Sequence, residues 1–446
     1  MSKKIACWYT LGGLNYKNGY ATSCPQQSDK LHIMEGTQVI RPSEIINSEG
    51  FKKHRLDMMS GKWSSGCHLC KNVEDAKAGH SMRMDYPVDE SFYDDLSGMI
   101  DFKGLNHVEF RFSNACNMAC LHCSEVFSSG WMAKLKHYEP DKDDWNHRLI
   151  QLTKTMHRAG FNDRLSIDMS IEDMYKIVDD LNTNFPNLQK IDFTGGEVLY
   201  QKQFIPCLKA LADHPRANEL HISFHTNFNA KFDPEELSNA LSPFRYVTIM
   251  MSIDSGTNIY SYFRTGDWDI LKDNIKRFKI ANKDNNNVDL NVVCTTSVYQ
   301  MMDIENVFES FLSLDIDWID SSIVYTPDYL NPAILMFDYR DHVIQDIKNT
   351  YAMIDRVKQE RMDNFEESQK MRTWRKGKQI FQDIESAYRA LKGIEDYVMN
   401  HKPQYKHWEA FMVYIRKTDQ LWEHNFNEFF VNYKFVDYKI LRKEML

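Results

Sequence analysis

Nine cysteines, and where they stand, limit this 446-residue chain more than any other feature. They are Cys7, Cys24, Cys67, Cys70, Cys116, Cys120, Cys123, Cys207 and Cys294; seven fall in the first 123 residues, and five of those form two tight clusters. An odd count behind a start, MSKKIACWYT, that lacks an apolar signal core is poor material for a disulfide framework. In a reducing compartment, clustered thiols read instead as metal ligands. Aromatic residues at 13% and hydrophobic residues at 43% exclude a disordered chain. The net charge of −9 argues against a dedicated nucleic-acid binder, which would need basic surface to neutralise phosphates. No apolar run reaches the roughly eighteen residues of a membrane span, so a soluble, cytoplasmic protein is expected.

The chain changes character along its length. Residues 1–100 carry turn signals such as Gly12-Gly13, Asn18-Gly19 and Ser64-Ser65-Gly66 rather than long periodic runs, and read as an irregular cysteine-rich module. Over 101–330, six β-rich runs alternate with apolar-periodic helical stretches. The runs are His107–Phe112, Lys190–Thr194, Leu220–Thr226, Tyr246–Ile253, Val288–Thr295 and Trp318–Val324. Strands alternating with helices imply right-handed βαβ units and a parallel sheet, here a partial (β/α)6 barrel of the TIM type within an α/β fold. A polar insertion is read over 133–168. Residues 331–446 read as helical, with a basic cluster at Arg372, Arg375, Lys376 and Lys378 taken as a solvated face.

The segment Cys116-Asn-Met-Ala-Cys120-Leu-His-Cys123 directly follows the first of the six strands. Active sites of parallel barrels are built on such loops. Three thiolates on one loop suit a [4Fe–4S] cluster that keeps one iron without a protein ligand; zinc completed by His122 or by a distant residue is the competing reading. Further along, strand ends carry Thr194-Gly195-Gly196-Glu197, Thr226-Asn227, and Ser252-Ile-Asp254 followed by Arg264. Glycine pairs let backbone approach a ligand closely, and a carboxylate suits a cationic amine. Strand-end capping for Ser252 and Asp254, and a surface salt bridge for Arg264, are the plain alternatives.

The spacing C-x3-C-x2-C after a first strand, with Ser128-Ser129-Gly130-Trp131 behind it, resembles the signature of the radical SAM superfamily. The ordered glycine, Ser/Asp and Arg motifs resemble that family's as well. The resemblance implies that Cys116, Cys120 and Cys123 hold a [4Fe–4S] cluster whose fourth iron binds S-adenosylmethionine (SAM). It further implies that His122 lies against the adenine and that Glu197, with Thr194, Gly195 and Gly196, meets the methionine amine. Ser252, Asp254 and Arg264 would hold ribose and carboxylate, with Thr226, Asn227 and Val293 nearby. Val198 stands where the family commonly has proline, and Phe228 where it commonly has glycine.

Cys7, Cys24, Cys67 and Cys70 are the right number for a closed four-thiolate site, either zinc or [4Fe–4S]. The string from Cys7 through Trp63-x-x-Gly66-Cys67-x-x-Cys70-x-x-x-Glu74 resembles the auxiliary-cluster modules of SPASM and twitch type, placed here before the barrel. Cys207 and Cys294 read as core residues. The expected activity is reductive cleavage of SAM, with hydrogen abstraction from a peptide or protein side chain and a reductant such as flavodoxin or ferredoxin. A small metabolite, nucleotide or sugar is the alternative substrate, and a metal-stabilised protein without catalysis the reading from another class.

Overall fold

The computed structural model describes residues 4–17, 20–27, 29–33, 40–75, 81–124, 127–135, 169–325, 327–336, 339–365, 381–402, 405–430 and 433. Most of the polar insertion read over 133–168, and the basic cluster at 372–378, therefore lie outside the described residues. Among the described residues there are nine strands: β1 (Gly13–Lys17), β2 (Tyr20–Thr22), β3 (His32–Ile33), β4 (His107–Arg111), β5 (Lys190–Thr194), β6 (His221–Thr226), β7 (Tyr246–Ser252), β8 (Val288–Thr296) and β9 (Trp318–Ile323). The strand order is β3-β2-β1-β4-β5-β6-β7-β8-β9. From β4 onward order in the sheet follows order in the chain, with a helix between successive strands. That is the topology of the expected (β/α)6 partial barrel in an α/β fold.

Contacts divide the chain into two compact units: residues 1–115, 162–225 and 236–248, and residues 116–161, 226–235 and 249–446. In the first unit, β4, β5 and β6 pair in parallel, with Phe110 opposite Phe193 and Phe193 opposite Phe224. Alternation explains the layering. Ile191 and Phe193 are buried on one face of β5, while Lys190, Asp192 and Thr194 occupy the other. The Phe110 and Phe193 rings stack at 5.5 Å, and Phe204 meets Phe193 edge-on. The helix Phe204–Leu211 buries Phe204, Cys207, Leu208 and Leu211, the i, i+3, i+4, i+7 stripe of an amphipathic helix. Cys207 is thus a core residue, as expected.

The N-terminal hundred residues are more regular than their sequence suggests. Strand β1 pairs in parallel with β4, and β2 folds back antiparallel with Lys17 opposite Tyr20. Asn18-Gly19, read from the sequence as a turn signal, lies outside the described residues. A helix, Glu49–Met59, buries Phe51, His54, Arg55, Met58 and Met59. His54 is 3% exposed, and its ring lies 3.3 Å from both Thr10 Oγ1 and Ser23 Oγ. Burial, reinforced by the Arg55 charge, lowers its pKa from 6.5 to about 4. The unfolded chain therefore binds one more proton than the folded chain between those values. Stability should be intact above pH 6.5 and fall as pH drops toward 4, by up to about 3 kcal/mol from this ring. Denaturant titrations across that window check this. A His54→Asn chain with the same pH slope as the unsubstituted one would contradict it.

In the second unit β8 and β9 pair in parallel, with Val293 opposite Asp320. On β8, Val292, Cys294 and Thr296 are buried while Asn291, Val293 and Thr295 on the other face are partly exposed, so Cys294 is a core residue. The helices Arg340–Asp363, Gln382–Asn400 and Tyr405–Trp422 bear out the helical C-terminal reading. Among the described residues, no helix is long and apolar enough to cross a membrane.

Candidate active site

The cysteine loop belongs to the second unit, and its backbone is anchored at nearly every residue. Ser129 Oγ accepts from the Cys116 amide at 3.1 Å. Ser128 Oγ donates to the Met118 carbonyl at 2.6 Å, and Trp131 Nε1 to the Cys120 carbonyl at 2.7 Å. The Ala119 amide donates to Thr265 Oγ1 at 2.8 Å, the Leu121 amide to the Phe263 carbonyl at 2.9 Å, and the Tyr414 hydroxyl to the Leu121 carbonyl. A Cβ at Gly130 would stand 2.6 Å from the Met118 carbonyl oxygen, so the glycine of Ser128-Ser129-Gly130-Trp131 is a packing requirement. With its peptide groups satisfied, the loop holds three thiols on a fixed frame. None of the nine cysteines forms a disulfide. Among the described residues, no three His, Cys, Asp or Glu side chains are already gathered at metal-binding separations. Three thiol donors on one anchored eight-residue loop nonetheless match the donor chemistry of an iron–sulfur cluster.

Beside Cys120 lies a buried ion pair. Arg264 Nη2 stands 2.6 Å from Asp254 Oδ2, an ion-pair contact rather than an aligned hydrogen bond, and the residues are 5% and 0% exposed. Arg264 Nη1 donates to Cys120 Sγ at 3.6 Å. Burial works against the guanidinium charge, but Asp254 and then Cys120 outweigh it and hold Arg264 protonated. Burial raises the Cys120 thiol pKa, against the pull of Arg264. Asp254 Oδ1 accepts from the Thr295 amide at 2.6 Å, and Oδ2 lies 3.6 Å from His122 Nδ1. The His122 ring stacks on Phe263 at 5.0 Å. A surface salt bridge is thereby excluded for Arg264. Cys120, His122, Asp254 and Arg264 meet in one cluster.

Other expected residues lie at strand ends in the same unit. The Asn227 side chain donates to Asn117 Oδ1 at 2.8 Å and accepts from the Asn229 amide, and Thr226 Oγ1 accepts from the Phe228 amide. Phe228 has φ of +52°, the left-handed region that explains a glycine preference here; its ring, fully buried, offsets the strain. Ser252 ends β7, and the Val293 carbonyl accepts from the Ile253 amide at 3.2 Å.

The Thr194–Glu197 turn is in the first unit. Thr194 Oγ1 donates to Glu109 Oε1 at 2.6 Å, and Glu197, 1% exposed, accepts from the Leu199 amide at 2.9 Å. Gly195 has φ of +119°, and a Cβ at Gly196 would sit 2.1 Å from the Ala115 carbonyl oxygen. The Gly196 and Glu197 amides donate to the Ser113 and Ala115 carbonyls. The glycines are therefore needed for packing on the segment that leads into Cys116. Gly196→Ala should displace this turn and lower stability by about 1–3 kcal/mol, read as a drop in melting temperature. An unchanged melting temperature would show that the turn tolerates the methyl group.

Residues 110–297 match the sequence model described as the Radical SAM superfamily. By that match, this stretch is similar to a radical SAM domain. No curated protein matches the chain by sequence. Among solved structures, native anSMEcpe with bound AdoMet is 16% identical at a TM-score of 0.35, covering 54% of this chain and 62% of its own. Streptococcus suis SuiB bound to S-adenosylmethionine is 11% identical at 0.30, covering 67% and 62%. TYW1 with a lysine-pyruvate adduct is 15% identical at 0.29, covering 58% and 74%. The chain spans less than two thirds of the length of the first two, and all three likenesses are too distant to bear on its substrate.

The matched stretch holds Cys116, Cys120 and Cys123; Cys7, Cys24, Cys67 and Cys70 lie upstream of it. Cys7, Cys24, Cys67 and Cys70 line a single cavity in the first unit, together with Trp63 and Gly66. Asp29 shapes the turn before Cys67, accepting from Ser64 Oγ at 2.8 Å, Ser65 Oγ at 2.9 Å and the Gly66 amide at 2.7 Å. Burial, then neighbouring Cys7 and Cys70, pushes the Cys67 thiol up to about 12, and burial raises Cys7 and Cys24 as well. Sequence reasoning singled out all four thiols and missed Asn117, Thr265 and Tyr414, whose partners lie far along the chain.

Proposed function

We propose that the chain is a radical SAM enzyme carrying two iron–sulfur clusters. Cys116, Cys120 and Cys123 would hold the SAM-binding [4Fe–4S] cluster, and Cys7, Cys24, Cys67 and Cys70 an auxiliary [4Fe–4S] cluster in a SPASM/twitch-like module over residues 1–100. The single observation that carries this reading is the anchored three-thiol loop beside the buried Asp254–Arg264 pair, within residues matching the superfamily. When bound, the cluster and SAM supply a 5′-deoxyadenosyl radical that removes a hydrogen atom from substrate, after reduction by a donor such as flavodoxin or ferredoxin.

This chain's own residues bind and orient. The His122 ring, fixed flat on Phe263, offers a face for adenine. Asp254 and Arg264 fix the Cys120 side of the loop and supply paired charges for ribose and carboxylate. Glu197 would offer its buried carboxylate to the methionine amine, with Thr194, Gly195 and Gly196 setting its turn, and Thr226, Asn227, Ser252 and Val293 are the further candidates for SAM contacts. For the auxiliary site, four thiols converging on one cavity are the donor set that a closed cluster requires. A peptide or protein side chain is the substrate class in this reading.

Iron, acid-labile sulfide and zinc per chain, measured after anaerobic reconstitution, test the two-cluster proposal. About eight irons and about eight sulfides support it. About four irons with one zinc would overturn the auxiliary cluster and leave a structural zinc clamp. Stimulation of SAM cleavage by peptides but not by nucleotides or sugars supports the substrate class, and the reverse pattern overturns it.

A further inference from the structure

Among the described residues lining the four-cysteine cavity, Arg83 alone carries a charge outside the thiols. It sits on the short turn Met82–Met84 and is held from several directions. Its Nε and Nη2 donate to the two oxygens of Glu74, each at 2.8 Å, in a bidentate pair. Its Nη1 donates to the Ala6 carbonyl at 2.7 Å, one residue before Cys7. Its guanidinium carbon lies 5.9 Å from the Trp63 ring centre. Ser81 Oγ donates to Glu74 Oε1 at 2.7 Å, fixing the carboxylate in turn. Glu74 is on the same helix as Cys70, His68–Asp75, so Arg83 ties the Cys7 segment to the Cys70 helix. Arg83 lines the cavity with the four thiols, whereas Glu74 is not among the lining residues.

Four thiolates around a metal centre carry net negative charge, and a fixed guanidinium beside them favours the more negative state. We propose that Arg83 is a positioning residue that sets the charge balance of the four-cysteine centre, raising its midpoint potential if it is an iron–sulfur cluster and slowing metal loss if it is zinc. This inference rests on the reading that Cys7, Cys24, Cys67 and Cys70 hold a metal. It gives Glu74 and Trp63 a joint purpose, to orient that cation.

The test uses the full chain with Cys116, Cys120 and Cys123 replaced by alanine, so that only the upstream centre is read. If this chain binds no metal while remaining folded, the metal reading itself falls. If it binds iron and sulfide, the midpoint from a spectroscopic redox titration is compared in Arg83→Gln, Arg83→Lys and Glu74→Gln. Arg83→Gln should lower it by the equivalent of about a fivefold to tenfold change in the oxidised-to-reduced ratio, tenfold being about 59 mV for one electron. Arg83→Lys should keep most of the unsubstituted value. Glu74→Gln retains the cation and removes its counter-charge, so it should move the midpoint the opposite way. If the metal is zinc, its transfer to a chelator should quicken about fivefold to tenfold in Arg83→Gln and not in Glu74→Gln. A metal-loaded Arg83→Gln chain with an unchanged midpoint or release rate overturns the inference. So does a shift of the same sign in Arg83→Gln and Glu74→Gln, which a purely structural clamp would produce.

Discussion

Replacing Cys120 by alanine is expected to abolish SAM cleavage and to reduce iron from about eight to about four per chain, with the protein still folded. Cys120 is the most enclosed thiol of its loop at 7% exposure, and its sulfur accepts from Arg264. Its main-chain neighbours are held independently by Trp131, Thr265 and Phe263. Losing a small side chain should therefore leave the loop in place while removing one of three cluster ligands. Anaerobic incubation with SAM and dithionite, followed by chromatographic assay of 5′-deoxyadenosine, reads the effect directly. Cys207→Ala is the matched control, since that thiol is fully buried in a helix core. It should cost about 1 kcal/mol of stability and leave iron content and cleavage intact. Full cleavage by the Cys120→Ala chain would remove the three-cysteine loop from the proposal.

Asp254→Asn is expected to cost about 3–5 kcal/mol, measured by urea unfolding of the second unit. The reason lies in Arg264, which is nearly sealed from water and relies on Asp254 for its counter-charge. Asparagine can still accept the Thr295 amide, so the backbone contact at Oδ1 need not be lost. What remains is an uncompensated buried guanidinium 3.6 Å from Cys120. An Arg264→Met, Asp254→Leu double variant, which removes both charges, should recover much of that stability while still failing to bind SAM. A change below about 1 kcal/mol in Asp254→Asn would mean that the pair is far better solvated than its burial indicates.

Much of this architecture is legible in the residues because its signals are local. The alternation of Ile191 and Phe193 marks β5, and the spacing of Phe204, Cys207, Leu208 and Leu211 marks a helix, with no knowledge of what either packs against. Strands β1–β3 are different: two to five residues each, they have too little length for a period, and β1 joins the main sheet only through β4, some ninety residues on. The same distinction holds at the site. Cysteine spacing names the thiols, strand-end position names Asp254, and the family resemblance names Arg264, which closes the helix Thr257–Arg264. The anchors Thr265 and Tyr414 are set by contacts across 146 and 293 residues and leave no local pattern. The two glycines were found for one reason and serve another. Flexibility toward a ligand suggested them, whereas contact with Ser113 and Ala115 requires them.

The most direct test of the central claim is the formation of 5′-deoxyadenosine and methionine from SAM by the unsubstituted, anaerobically reconstituted chain under dithionite. The account predicts both products in equal amounts, dependent on the protein and the reductant. A fully iron-loaded chain that binds SAM yet releases neither product would contradict it.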